Sequence, residues 1–339
     1  MKKQIKIKFQ NGITYDGAIR EILNVVLEKY EFIESEKPDY IFFGPYGKDV
    51  PVPGAYVRIG YFCENMIPDL DSCDWAFGIP SEQRVNSPKY KRIQWHNLDP
   101  DALIKKDWDA EQIFSSKTKF CNFFYSAPVP YREEFFRQLS KYKKVDAPGK
   151  SMNNMPSVDK VYTGSKWEVK HRFLTPYKFT IAFENYVYPG YQTEKLYDAM
   201  LCRSLPVYCG DPNVGEIFNT QSFLFANDFI RTNDTPLVKF LENASQLNFT
   251  DIRPLYYKSP KDRVQRKLKS IGKTLKMKLQ YNKLDFSDLI DQIIVLDKDP
   301  DKYMEYLKQP WFHHNVPPPN TSLKERWIEI FGQSLKSLC

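Results

Sequence analysis

The segment 178–210 constrains the fold more than any other. KFTIAFEN (178–185) reads as a strand, Pro189-Gly190 as a bend, TEKLYDAMLCR (193–203) as a helix and LPVYCG (205–210) as the next strand. Strand, helix and strand with so little chain between them form a compact βαβ unit, which demands a parallel sheet with helices laid against it. A similar order opens the chain. Residues 3–9 alternate as a strand, and 16–30 place Ile19, Ile22, Leu23, Val26 and Leu27 on one side of a helix. DYIFFGPYG (39–47) and YVRIGYFCEN (56–65) are further strands, the second delivering Glu64 and Asn65 into a loop. This is a Rossmann-like half.

At 339 residues, two domains are expected from a prior of about 150 residues each. KFCNFFYS (119–126) restarts the pattern, Pro128 and Pro130 punctuate a loop, and YREEFFRQLSKY (131–142) opens a helix with Arg132 in its first turn. The expected domains are 1–117, 118–309 and a helical extension, 310–339. No fixed-period repeat is present.

Hydrophobic residues make up 42% and aromatics 15%, enough for packed cores rather than disorder. MKKQIKIKFQ has no apolar h-region, and no uncharged stretch approaches the roughly 18 residues that span a bilayer. Cys63, Cys73, Cys121, Cys202, Cys209 and Cys339 form no C-x-x-C pair, which disfavours zinc and a disulfide framework. A reducing cytoplasm is the expected setting, and the N-x-S/T triplets at Asn233, Asn243, Asn248 and Asn320 are expected to go unread.

The formal charge of +7 is uneven, because Arg253–Lys283 holds eleven Lys or Arg and one acid, Asp262. Val264, Leu268, Ile271, Leu275 and Leu279 recur at helical spacing there. The segment reads as a helix packed on the body with a solvated lysine face, or as one attached to an anionic membrane surface. A nucleic-acid partner is not expected, since no zinc-finger, ribonucleoprotein or KH pattern accompanies the basic helix.

Open α/β sheets bind ligands beyond the carboxyl ends of their strands. Glu184 and Asn185 end one strand, and Tyr191, Glu194 and Lys195 occupy the next loop and helix start, where N–H groups and the helix dipole favour phosphate. Arg132 begins another helix and could fork a diphosphate. The same charges also read as ordinary exposed first-turn residues, and Glu64 as a loop cap. GPYGKD (44–49) lacks the phosphate-loop spacing and nothing reads G-x-G-x-x-G. DKDPD (297–301) reads as solvated acids, and His313-His314 lack metal-ligand partners; no metal or cofactor is expected.

FENYVYPGYQTEKLYDAMLCRSLPVYCGDPNV (183–214) closely resembles the signature of the α1,3/α1,4-fucosyltransferase family, which runs FEN, a short loop, Y-x-T-E-K, a helix and P-V/I-Y-x-G-x-P. GYFCENMIPDLDSCDWAFGI (60–79) resembles the family's Glu-Asn loop, PYREEFFRQL (130–139) its Arg-bearing helix start and VDAPGKSMNN (145–154) its V-D-x-x-G-type segment. The resemblance runs over roughly 56–230. With no C-x-x-C of animal members and no leucine-rich heptad array, the chain looks like a bacterial-type relative.

The resemblance implies a GT-B architecture, two Rossmann-like domains facing across a cleft, and inverting transfer from GDP-fucose. By position, Glu64 would be the general base, Arg132 and Lys195 would contact the phosphates, and Tyr191 and Glu194 would approach the donor, Glu194 at the ribose. Glu184 and Asn185 would line the donor pocket, and Asn65 is a candidate for acceptor binding. With two fixed cations a divalent metal is not required. The implied acceptor is N-acetylglucosamine or glucose within β-galactosides, as in Lewis-type antigens, carried on lipid-linked lipopolysaccharide chains. Two alternatives stay open: another GDP-sugar donor on the same fold, and a non-enzymatic protein binding RNA or a lipid surface through 253–283.

Overall fold

A computed structural model describes residues 2–47, 49–64, 66–93, 98–106, 108–229, 235–244, 247–248, 260–281, 284–318 and 323–333. The chain forms two compact units, Met1–Asn97 with Lys239–Lys276 and Asn320–Cys339, and Leu98–Val238 with Met277–Pro319.

The first unit contains β1 (Lys3–Gln10), α1 (Tyr15–Glu21), β2 (Tyr30–Glu34), β3 (Tyr40–Phe43), β4 (Val57–Phe62), β5 (Met66–Ile67), β6 (Trp75–Gly78), α2 (Glu82–Val85) and β7 (Tyr90–Arg92). Its parallel sheet runs β2-β1-β3-β4-β6-β7, while β5 pairs separately with Leu247–Asn248. All of β3 and most of β4 are buried, as their apolar runs require in a parallel sheet. The helix expected over 16–30 is shorter. It starts from the Thr14 cap and stops at Glu21, and a 3₁₀ turn over Asn24–Val26 then seats Leu23 and Val26 in the core. Two consecutive β-branched residues, Val25 and Val26, weaken helix continuation there.

The terminal helix, Lys324–Gly332, is part of this unit rather than a separate extension. Trp327 is fully buried, stacked on Phe77 at 4.2 Å and edge-on to Phe42 at 5.7 Å. Phe331 meets Tyr30, Phe32 and Tyr40 edge-on, and the carbonyls of Phe331 and Ile330 accept hydrogen bonds from Lys3 Nζ and Tyr40 Oη. Helix-end carbonyls that would lack partners are thereby satisfied.

The second unit contains α3 (Ala110–Ser116), β8 (Lys119–Asn122), α4 (Pro130–Leu139), β9 (Val145–Asp146), α5 (Lys166–Leu174), β10 (Tyr177–Phe183), α6 (Glu194–Leu201), β11 (Leu205–Cys209) and β12 (Leu224–Phe225). Its sheet, again parallel, runs β12-β11-β10-β8-β9. β10 and β11 pair from Phe179↔Leu205 to Phe183↔Cys209, the expected βαβ unit. The division falls after Asn97 instead of 117, because the Tyr197 phenol donates to the Asp99 carbonyl and Phe114 packs on Tyr303. Phe312, stacked on Phe218 at 5.2 Å, draws the start of the expected 310–339 extension into this unit as well.

The acids of DKDPD are not solvated as a group. The Asp297 side chain is 4% exposed and meets Lys143, Lys178 and Tyr142, while Asp299 caps the helix Pro300–Lys308. Of the basic segment, Pro260–Gln280 is helical, with 253–259 and 282–283 outside the described residues. Its apolar face does not pack on the body as one expectation had it, since Val264, Leu268, Ile271 and Leu275 are 47–62% exposed. Lys273 on another side is half-buried, and burial lowers its pKa. No described helix is long and apolar enough to cross a membrane.

Candidate active site

Polar groups gather where β10 and β11 end. Glu184 directly follows β10 and is fully buried. Its carboxylate accepts hydrogen bonds from the Thr193 amide at 2.8 Å and the Thr193 hydroxyl at 2.7 Å, and lies 3.1 Å from Lys195 Nζ. A nine-residue excursion is thus tied at both ends. Asp211, 2% exposed after β11, closes its middle by accepting from the Gly190 amide and the Gln192 side chain, both at 2.7 Å. Gly210 permits this approach, because a Cβ there would sit 2.6 Å from Glu184 Cγ.

These bonds decide what the start of α6 can offer. Thr193 is its N-cap residue, but the hydroxyl donates to Glu184 and accepts from Lys195 Nζ at 2.7 Å, so it provides no cap bond. Amides of a first helical turn have no partner within the helix and can donate to an anion, although that of Glu194 already meets its own carboxylate. Lys195 lies 3.5 Å from Glu194, which is also 3.7 Å from Lys170 on α5. Burial alone would raise the Glu194 carboxyl, but Lys195 and Lys170 outweigh it and hold the pKa at about 2. Burial pushes Glu184 up, against the opposing pull of Lys195. Burial would likewise lower Lys195, yet Glu184 and Glu194 keep it raised and cationic. The cluster presents one locked ammonium and one ionised carboxylate, 30% exposed, at a helix start.

Arg132 lies in the first turn of α4 and is fully buried. Its guanidinium stacks on Tyr125 at 3.6 Å and donates to Asn185 Oδ1, to the carbonyls of Phe183 and Ala127, but finds no partner for Nε. Arg132 and Asn185 are therefore brought together, but the fully buried guanidinium, turned to Asn185 and two carbonyls, offers no solvent-exposed fork of the kind expected for a diphosphate. Tyr191, 4% exposed, packs edge-on against Tyr186. Glu184 is a different case from the pocket-lining role first assigned, because its oxygens are turned into the loop and not to solvent.

In the first unit Glu64 stands exposed beyond β4 and accepts a hydrogen bond from the Tyr46 phenol. Asn65 lies outside the described residues. Sequence reading missed the parts played by Tyr46, Tyr125, Lys170, Gln192, Thr193 and Asp211, whose signal is spatial; of these only Thr193 is a fixed position of a recognisable motif, Y-x-T-E-K. Among the described residues no three or more His, Cys, Asp or Glu gather to hold a metal.

The glycosyltransferase family 10 (fucosyltransferase) C-terminal domain matches residues 114–250, and the N-terminal domain of the α-(1,3)-fucosyltransferase FucT matches 7–98. An α-(1,3)-fucosyltransferase of Helicobacter pylori is 35% identical over 258 residues, 63% of this chain and 52% of that protein. α-(1,3)-Fucosyltransferase B of Drosophila melanogaster is 35% identical over 115 residues, 32% of this chain and 26% of its own. The chain spans about a quarter to a half of the length of the curated relatives it matches. Two crystal structures titled as α1,3-fucosyltransferase, with GDP and with GDP-fucose, superpose with TM-scores of 0.60 and 0.58 at 18% and 19% identity. They cover 99% and 100% of this chain and 91% of theirs, and share its GT-B type of fold with two parallel-sheet α/β domains.

Proposed function

Since the chain belongs to the fucosyltransferases of glycosyltransferase family 10, we propose that it transfers L-fucose from GDP-fucose, with inversion, to a hydroxyl of N-acetylglucosamine or glucose in a β-galactoside glycan. The observation that supports this reading best is the start of α6, where uncapped amides and the held ammonium of Lys195 lie beside ionised Glu194. A nucleoside diphosphate needs cationic and N–H donors at its phosphates and an acceptor for the ribose hydroxyls. In the reaction the acceptor oxygen bonds to the anomeric carbon as the bond from that carbon to the β-phosphate oxygen breaks. The bonding electrons leave with GDP. Lys195 and the α6 amides stabilise the charge that grows on the diphosphate, buried Arg132 adds positive potential from behind Asn185, and the Glu64 carboxylate takes the hydroxyl proton.

In this reading the cations of the protein serve the leaving group and no divalent ion is needed. Purified protein with GDP-fucose and N-acetyllactosamine is expected to release GDP and fucosylated product, to do so in EDTA, and to turn over GDP-mannose at least tenfold more slowly. Equal use of GDP-mannose would favour another donor, and absence of both reactions with intact GDP binding would remove this acceptor class. Complete loss in EDTA restored by manganese would overturn the metal-independent step.

The acceptor class extends to Lewis-type glycans on lipid-linked lipopolysaccharide chains in a bacterial cytoplasm. The exposed stripe of Val264, Leu268, Ile271 and Leu275, beside exposed Lys261, Arg263, Lys267 and Lys278, favours peripheral attachment to an anionic bilayer. Flotation with phosphatidylglycerol vesicles should weaken at least tenfold when the four apolar residues become serine. Unchanged flotation would refute attachment through this helix.

A further inference from the structure

Tyr46 follows β3 and Glu64 follows β4, and these neighbouring parallel strands bring the two side chains together although 18 residues separate them. The phenol donates to Glu64 Oε1. Both side chains are exposed, so the bond contributes little to stability. The loop carrying the phenol is nevertheless closely constrained. Asn11, 6% exposed, donates from Nδ2 to the Gly44 carbonyl, accepts the Asp49 amide at Oδ1 and accepts the Tyr46 amide at its own carbonyl. Gly47 has φ +146°, and a Cβ there would fall 2.3 Å from Asn11 Oδ1. A side chain at 47 would break this seat.

We propose that Tyr46 is a positioning residue for Glu64, fixing Oε1 so that Oε2 is presented to the acceptor hydroxyl. This rests on the reading of Glu64 as general base. A carboxylate at the end of a strand otherwise rotates about its last torsion, and a base works only within hydrogen-bond reach of the proton it takes. With Oε1 held, the proton moves from the acceptor oxygen to Oε2 while that oxygen bonds to the anomeric carbon and GDP departs with the electron pair. Tyr46 itself gains and loses no proton.

The test is steady-state kinetics of the full chain with GDP-fucose and N-acetyllactosamine, together with calorimetric GDP binding. Tyr46→Phe keeps the ring and removes the donor. It should lower kcat about tenfold, with the GDP-fucose KM and GDP affinity unchanged within about twofold. In a Glu64→Asp background, where the shortened carboxylate no longer meets the phenol, the same change should cost less than about twofold. Equal cost in both backgrounds, a raised KM at constant kcat, or no effect of Tyr46→Phe would overturn the assignment. Glu64→Gln separates the layers. Wild-type turnover in that variant removes the base and with it this role, whereas inactivity beside a silent Tyr46→Phe removes Tyr46 alone.

Discussion

Thr193 is bound to Glu184 twice, through its amide and its hydroxyl, and this double attachment determines where α6 begins. The buried carboxylate holds the loop and, through Lys195, the local charge balance. Glu184 thus shapes the start of α6 without itself facing solvent.

Glu184→Gln keeps the shape and removes the charge. One Thr193 bond can survive, but Lys195 loses its closest anion, and stability should fall by about 2–3 kcal/mol. GDP affinity should fall less than tenfold, because Lys195 stays cationic beside Glu194. Urea unfolding and calorimetry measure the two effects.

Lys195→Met removes the ammonium while roughly conserving the stem. GDP affinity is expected to drop at least thirtyfold, a difference of about 2 kcal/mol, and kcat/KM for GDP-fucose further still, as the lost charge matters more when the diphosphate departs. Binding and turnover falling by the same factor would assign Lys195 to ground-state binding alone.

Gly210→Ala would drive a methyl against Glu184 Cγ and the Tyr208 phenol, at 2.6 and 2.5 Å. Neither neighbour can retreat easily from a buried site, so a cost of about 2–3 kcal/mol and a weakened GDP site are expected together. Thermal unfolding with and without GDP reads both.

Stability should depend on Glu194 at low pH in a definite direction. Its pKa in the folded chain is about 2, below the ordinary value of 4.5, so ionisation favours the folded state above the ordinary value. That contribution is lost as pH falls from 4.5 towards 2. The stability difference between the native chain and Glu194→Gln should therefore be larger at about pH 5 than at about pH 2.5, measured by urea midpoints. A difference that stays constant across this range would contradict the ion pairing.

Much of the second unit was legible because its signals are local. Apolar runs, Pro189-Gly190 and a helical period mark β10, α6 and β11 within a few dozen residues. Glu194, Lys195, Asn185 and Arg132 were singled out as candidates because they stand at strand ends and helix starts, where ligand groups concentrate, and because they match the family's motifs. What stayed hidden depends on tertiary burial. No spacing rule says that Glu184 turns inward while Glu194 keeps access, or that Asp211 reaches back to Gly190. The ends of the units were illegible for a related reason. An amphipathic helix such as 324–332 shows that it must cover something apolar, but not which sheet.

That last helix gives the first sheet an unusual schedule. Phe42, Phe77, Tyr30 and Tyr40 are in place within the first eighty or so residues, yet the rings that cover them, Trp327 and Phe331, are translated some 250 residues later. The second unit can close on the ribosome while the first still shows an aromatic surface. Until the final turns emerge, the nascent chain carries a sticky face open to chaperones and to its neighbours. Emergence of residues 324–332, rather than completion of the N-terminal strands, is the event that finishes the N-terminal sheet.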